Sequence, residues 1–198
     1  GVARVFNVAH GEFIMLGAMI TWWLSFTWGI NPLISVAISG PLIFGLGYLL
    51  HWTLFRYLRT KSTSPAVFES NSILAAFGLL FIIQNLALQA WGSSPKSYTF
   101  LNFPVQFGGT VFAANRLLVL GVSIGIGIAF YLFLAHTRIG KAIRASAQDA
   151  VTARLMGVNI NLVLALCFGL GAFLAGIAGV LVSTTTPVSG IMGLEYTV

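Results

Sequence analysis

The sequence predicts an all-α polytopic membrane protein, with five transmembrane helices in this stretch and the amino end in the cytoplasm. Three observations carry that expectation. Of 198 residues, 58% are hydrophobic and only 7% charged, where an ordinary soluble domain carries about 25% charged side chains. Five apolar runs each approach the ~20 helical residues that cross a hydrocarbon layer about 30 Å thick. The ten Lys and Arg fall unequally on the connectors between them. Composition therefore excludes a soluble globular fold, and it excludes disordered chains, nucleic-acid arms and coiled coils, which all need polar or charged surface.

The runs are 13–30, 33–55, 72–91, 117–135 and 162–182. They are continuously apolar, whereas barrel strands alternate in shorter segments of about ten residues, so each is read as a helix. The chain opens on Gly1 rather than Met and shows no charged n-region with a short apolar core; residues 194–198 stop in mid-segment. The expectation is an excerpt of a longer membrane protein, incomplete at both ends.

Orientation follows from the bases. Placing the connector with Arg138, Lys141, Arg144 and Arg154 in the cytoplasm forces Arg56, Arg59, Lys61 and Arg4 to the same side by parity, leaving Lys96 and Arg116 opposite. Eight against two fits the positive-inside rule. Trp22, Trp23, Trp28 and Trp91 fall near the outer ends of the first and third runs, at the interface that such rings favour.

The outer connector 92–116 carries Pro95, Pro104 and the pair Gly108 and Gly109, and Val105, Phe107 and Val111 around that pair predict a small hairpin. It is read as an ordered cap in preference to a ligand-binding loop.

Small residues recur at four-residue spacing in the fourth run (Gly121, Gly125) and more densely in the fifth (Ala165 and Gly169, Gly171 and Ala175, Ala172 and Gly176, Ala175 and Gly179). In lipid such spacing predicts close helix packing rather than chemistry. Gly40, Pro41, Gly45 and Gly47 predict a bent or broken second run, serving either a substrate path or packing.

Polar residues inside the runs are the candidates for function. Gln84, Asn85 and Gln89 lie in the third run, where amides either line a wet path or bond a neighbouring helix. Asn7, His10 and Glu12 stand just before the first run, and together with Gln84 and Asn85 they are the candidate substrate path. A polar break turning at Gly11 is preferred to catalysis, since positions two apart on a helix face different ways and no HExxH or second His/Cys cluster supplies metal ligands. His51 and His136 are read as interfacial. Cys167 stands alone in an apolar run, so no disulfide, metal cluster or redox pair is expected within the chain, and no cofactor.

The connector GKAIRASAQDAVTARLMGVNIN is the most informative segment. Ile143, Ala147, Val151 and Leu155 recur every fourth residue, with Arg144, Gln148, Asp149 and Thr152 elsewhere on the wheel, so a short amphipathic helix is expected, closed by Gly157. Its length, alanine content and embedded acid favour docking to a cytoplasmic protein over lying on lipid.

This connector, with the LVLALCFGLGAFLAGIAGVLV that follows, closely resembles the permease subunits of bacterial ABC transporters for branched-chain amino acids. The early NVAHGEFIMLGAM is similar to that family's Asn-Phe-Ala-His-Gly-Glu segment, with Val8 in place of the usual Phe. The resemblance implies a translocation subunit, not an enzyme, in a bacterial inner membrane. It implies a second permease subunit, two cytoplasmic ABC ATPases and an extracytoplasmic substrate-binding protein as partners, and no nucleic acid. It makes residues 1–198 one permease domain and places the ATPase-coupling helix within 140–157. There Ala147, Ala150 and Ala153 allow close approach, Arg144, Asp149 and Arg154 make polar contacts, and Gly140 and Gly157 bound the region. No GxxxxGK[ST] loop occurs, so ATP falls to a partner. Related permeases handle urea, short amides and other amino acids. A channel or secondary transporter, and an intramembrane enzyme built on His10 and Glu12, are the rival classes; the first leaves the connector helix without a purpose and the second lacks converging residues.

Overall fold

A computed structural model describes residues 9–101, 103–107 and 110–197. In chain order the helices are α1 (His10–Trp28), α2 (Pro32–Leu50), α3 (Arg56–Lys61), α4 (Pro65–Trp91), α5 (Ala114–His136), α6 (Arg138–Gln148), α7 (Ala150–Leu155) and α8 (Ile160–Ser183). Strands β1 (Pro104–Phe107) and β2 (Thr110–Ala113) precede α5, and a 3-10 turn, Met192–Tyr196, follows α8.

Local signals set the boundaries. Gly29 ends α1 in the left-handed region at φ 64°, which a residue without a Cβ adopts freely. Asn31 and Ser64 each accept a backbone N–H at a helix start, with Pro32 and Pro65 in the first turn. Asn159 accepts the Leu162 N–H and starts α8 in the same way.

Among the described residues four helices are long and apolar enough to cross a membrane: Pro32–Lys61, Ala66–Trp91, Ala114–His136 and Ile160–Ser183. The first is α2 continued through a π-helical turn, His51–Phe55, into α3. The remaining long helix, α1 of 19 residues, interrupts its apolar sequence with Glu12, Thr21 and Ser25 and buries residues from Gly11 to Leu24 in the protein.

The core is a three-helix block. Helix α8 lies against both α1 and α2, and glycine makes each seam. A Cβ on Gly17 would collide with the Gly176 backbone, and one on Gly179 with the Ile14 carbonyl. On the α2 side, a Cβ on Gly40 would sit 2.7 Å from the Phe173 ring and one on Gly47 2.6 Å from the Ala172 methyl. The small residues of α8 therefore do what their spacing predicts, bringing backbones together where lipid gives no hydrophobic drive. A hydroxyl chain ties α1 to α2: Thr21 donates to the Gly17 carbonyl at 2.8 Å and Ser35 Oγ lies 2.9 Å from Thr21 Oγ1.

Three expectations are corrected. Helix α2 is not broken at Gly40 to Gly47; Gly40 and Gly47 serve the α8 seam, and the irregular turn comes later, at His51–Phe55. His51 is not interfacial but buried, its ring 6.1 Å from that of Phe168. Helix α5 has no buried residue, and Gly121 and Gly125 face open space within 4 Å, so its small residues meet no neighbour among the described residues.

The hairpin forms as expected, with Val105 opposite Phe112 and Gln106 opposite Val111; Gly108 and Gly109 lie outside the described residues. Around it, Lys96 and Val188 exchange backbone hydrogen bonds of 2.7 and 2.8 Å, tying the connector after α4 to the chain leaving α8. Lys96 also lies 4.5 Å above the Trp22 ring, and at the other end Arg56 lies 4.2 Å above Trp52, so each end pairs a base with an aromatic ring.

Candidate functional site

The connector between α5 and α8 folds as two short helices at a sharp corner, not as one amphipathic helix. Asp149 makes the corner. Its backbone is extended (φ −149°, ψ 105°), and its carboxylate accepts the Val151 and Thr152 N–H groups at 2.8 and 3.2 Å, capping α7. The Thr152 hydroxyl bonds the same carboxylate, and these bonds, the hydroxyl's first, hold its pKa below the ordinary carboxylate range. A capping carboxylate at the positive end of a helix is favourable where a mid-helix aspartate is not.

The corner splits the apolar stripe. Ile143 turns inward on α6 with Gly140 and Ser146. Ala147 is exposed, and beyond the corner Val151, Leu155 and Met156 are 71%, 83% and 82% exposed. Ala150 is half-buried and Ala153 buried, so of the three alanines only Ala147 lies on the open face.

The flanking residues act within the chain. Gly140 sits in the elbow from α5 to α6, where a Cβ would strike the Phe133 and Leu134 carbonyls, and its N–H is accepted by Thr137 Oγ1 at 3.0 Å. Arg144 donates to the Ala135 carbonyl at the C-terminal end of α5, 3.2 Å away. Gly157 closes α7 at φ 85°, with Gly157 N–H bonded to the Arg154 carbonyl and Val158 N–H to that of Ala153. Arg154 is exposed and shares a cleft of about 650 Å³ with Arg59 of α3, which places two basic connectors at one end of the bundle.

The second group of candidates surrounds the start of α1. His10 lies toward Gly171, halfway along α8, so α1 begins at mid-bundle rather than at its edge. Glu12, in the first turn, is 0% exposed, and among the described residues neither carboxylate oxygen has a hydrogen-bond partner. The turn Met192–Tyr196 lies against it. A Cβ on Gly193 would strike the Glu12 carboxylate, and one on Gly11 the Gly193 carbonyl. Buried carboxylates without partners are costly, and inside membrane bundles ionisable groups mark function by default. His10 itself is exposed, and Asn7 lies outside the described residues.

Gln84 and Asn85, being adjacent, part company. Gln84 is buried, whereas Asn85 lies on the exposed face of α4 and donates to the Phe81 carbonyl of its own helix at 2.8 Å. Glu12 and Gln84 are thus the candidate path residues turned into the protein. Reading by spacing missed the corner at Asp149 and the exposure of Met156. The Asp-Ala-Val-Thr order was the available signal for the corner, a capping residue ahead of a helical turn.

A family described as the branched-chain amino acid transport system / permease component matches residues 1–198. The chain is 29% identical to the high-affinity branched-chain amino acid transport system permease protein BraD of Pseudomonas aeruginosa, across 91% of this chain and 62% of that protein. It is 24% identical to the corresponding LivH of Escherichia coli, across 91% and 61%. With the probable branched-chain amino acid transport permease protein LivH of Methanocaldococcus jannaschii it shares 26% identity across 87% and 55%. The chain thus spans about three fifths of the length of BraD and of the Escherichia coli LivH. No solved structure matches.

Proposed function

The chain belongs to the branched-chain amino acid transport system / permease component family, and on that premise we propose that it is the translocation subunit of an ABC importer carrying branched-chain amino acids, or related small amino acids and amides, into the cytoplasm. It performs no covalent chemistry; ATP is hydrolysed by partners. The partners are a second permease subunit, two cytoplasmic ABC ATPases and an extracytoplasmic binding protein, in a bacterial inner membrane.

One observation carries the reading: α7 leaves Val151, Leu155 and Met156 uncovered at the end of the bundle where the basic connectors gather. Large apolar side chains exposed together beside arginines fit a protein groove better than water. Ala147, on the same open face, lets a partner surface come close, and Arg154 supplies a charge at its edge. The coupling region is 140–157, with Gly140, Arg144, Asp149, Ala153 and Gly157 shaping it and Ala147, Val151, Arg154, Leu155 and Met156 meeting the ATPase; Ala150 lies at the border.

In this reading α1 is the fifth span and the amino end is cytoplasmic. The substrate path runs past the start of α1, with Asn7, His10, Glu12, Gln84 and Asn85 as its polar residues. Glu12 becomes accessible when the Met192–Tyr196 turn moves off it. ATP can drive that motion only by binding more tightly to one arrangement of the bundle than to the other.

The full-length permease, assembled with its partners in liposomes, should take up labelled leucine only when ATP is supplied on the ATPase side. Uptake at the same rate without ATP would replace this reading with a channel or secondary transporter. Sidedness has its own check. With Cys167→Ser as background, Ser97→Cys should react with an impermeant thiol reagent outside intact cells and Gln148→Cys should not; reversed labelling would invert the topology. Gln148 is exposed, whereas Ser146 is buried and would stay silent on either side.

A further inference from the structure

The cleft of about 650 Å³ beside α7 is bounded by Arg59 of α3, by Arg154 of α7 and by Asn159, Ile160 and Asn161 at the start of α8. Two of these walls are the ends of membrane-crossing helices: Pro32–Lys61 stops just past Arg59, and Ile160–Ser183 begins inside the lining. The cleft therefore sits at the level where hydrocarbon gives way to headgroups. Its neighbours have the matching pattern. Arg56 lies 4.2 Å above the Trp52 ring, and Trp52, Tyr57 and Leu162 are exposed, as aromatic and basic residues are at a bilayer boundary.

The chemistry of the lining is one-sided in charge. It contains two guanidiniums and no Asp or Glu. Asp149, the acid nearest to Ala150 in sequence, has its carboxylate bonded to the Val151 and Thr152 N–H groups and to the Thr152 hydroxyl. Among the described residues neither the Arg59 nor the Arg154 side chain makes a hydrogen bond or an ion pair. Asn159 spends its side-chain oxygen on the Leu162 N–H at 3.2 Å, which leaves its amide hydrogens free; the Asn161 side chain is uncommitted and does not oppose an anion. The positive end of the α8 dipole adds to the two charges. Guanidinium forks match the oxygens of a phosphate two at a time, and basic pockets between membrane helices hold phospholipid headgroups.

We propose that this cleft binds the phosphate of an anionic phospholipid, held by Arg59 and Arg154 from opposite sides of the lining, with the acyl chains against Leu162. Depth selects the occupant. A headgroup already lies between the two span ends, whereas an acidic side chain of a soluble partner would approach α7 from water. Arg154 thus borders both the lipid and the α7 face, and the site is independent of the solute that the permease carries.

The test titrates the full-length permease in neutral detergent micelles with fluorescently labelled phosphatidylglycerol, and with labelled phosphatidylcholine for comparison. Wild-type protein should bind phosphatidylglycerol saturably and at least about tenfold more tightly than phosphatidylcholine. Arg59→Gln with Arg154→Gln should remove that preference, and Arg59→Lys with Arg154→Lys should keep most of it, since the charge remains. Arg138→Gln with Lys141→Gln takes the same charge from exposed positions outside the cleft and should change nothing. Equal losses in the two glutamine variants would overturn the site in favour of a diffuse basic surface, as would an undiminished preference in Arg59→Gln with Arg154→Gln. Inorganic phosphate at a few millimolar, with ionic strength held by chloride, should leave the lipid in place; displacement would make the cleft a site for soluble phosphate and overturn the lipid assignment. Assembly of the full transporter should also leave the lipid bound, and its release as the ATPases join would give the cleft to an acidic side chain of the partner instead.

Discussion

Helices α8 and α5 have similar sequences and opposite surroundings. Both are long, apolar and dotted with glycines four residues apart, yet α8 is enclosed by α1 and α2 and α5 has no buried residue. The difference lies in what stands opposite. Gly176 faces Ile43, and Gly179 faces the Ile14 backbone, whereas Gly121, Gly125 and Gly127 face nothing within 4 Å among the described residues. A small residue every fourth position permits close approach; it does not name the helix that approaches. The connector α6 and α7 joins the loosely held helix to the enclosed one, which is where a force applied from outside would act on the bundle.

The comparison breaks most readily at the glycines. Gly179→Leu should prevent the α1–α8 seam from closing and cost about 3 kcal/mol or more by overpacking, seen as loss of folded permease in a thermal unfolding assay. Gly125→Leu in the same assay should shift the midpoint little. Equal losses in both would show that α5 is as enclosed as α8.

A smaller effect on folding but a large one on transport is expected at the junction. Val151→Asp with Leu155→Asp places charges on side chains already exposed, so the assembled amount should hold within about 0.5 kcal/mol of stability. ATP-driven uptake should fall at least about tenfold, as for loss of a central contact. Normal uptake would detach α7 from function.

The corner itself titrates. Hydrogen bonds lower the folded pKa of Asp149, so its cap is intact above the ordinary aspartate value of about 3.9 and is lost as pH falls from there through the lowered one. Protection of the Val151 and Thr152 amides from hydrogen exchange, corrected for intrinsic rate, should be flat down to about pH 4 and decline below it. Asp149→Ala should remove that dependence.

The smallest effect belongs to the hydroxyl chain of the enclosed block. Thr21→Val removes the contact with Ser35 and should cost about 0.6 kcal/mol, the usual worth of such bonds between membrane helices. A cost several times larger would make that chain, rather than the glycine seams with α8, the main tie holding α1 and α2 together.

What could be read from sequence divides along the same physical line. The long helices were legible because lipid imposes composition over about 20 residues, and the hairpin because Val105, Phe107 and Val111 flank a glycine pair. The central place of α8 over α5 was not legible, since it depends on Gly17, Ile43 and Phe44 in distant segments. His51 looked interfacial by its position in the chain and is buried because Phe168 and the π-helical turn enclose it. Glu12 and His10 were correctly separated by helical geometry, but nothing in their spacing revealed the Met192–Tyr196 turn that covers the carboxylate. The corner at Asp149 was hidden by a four-residue apolar repeat that continues unbroken across it.

The central claim, that α7 is the surface through which a cytoplasmic ATPase moves the bundle, has one direct measurement. With Cys167→Ser as background, Val151→Cys should be cross-linked by a short bis-thiol reagent to a single cysteine introduced at the rim of the ATPase groove, within the full transporter, and the cross-link should abolish ATP-driven uptake until it is cleaved. An intact, transporting complex in which Val151→Cys yields no adduct with the ATPase, while a cysteine on the outer connector does, would contradict the account.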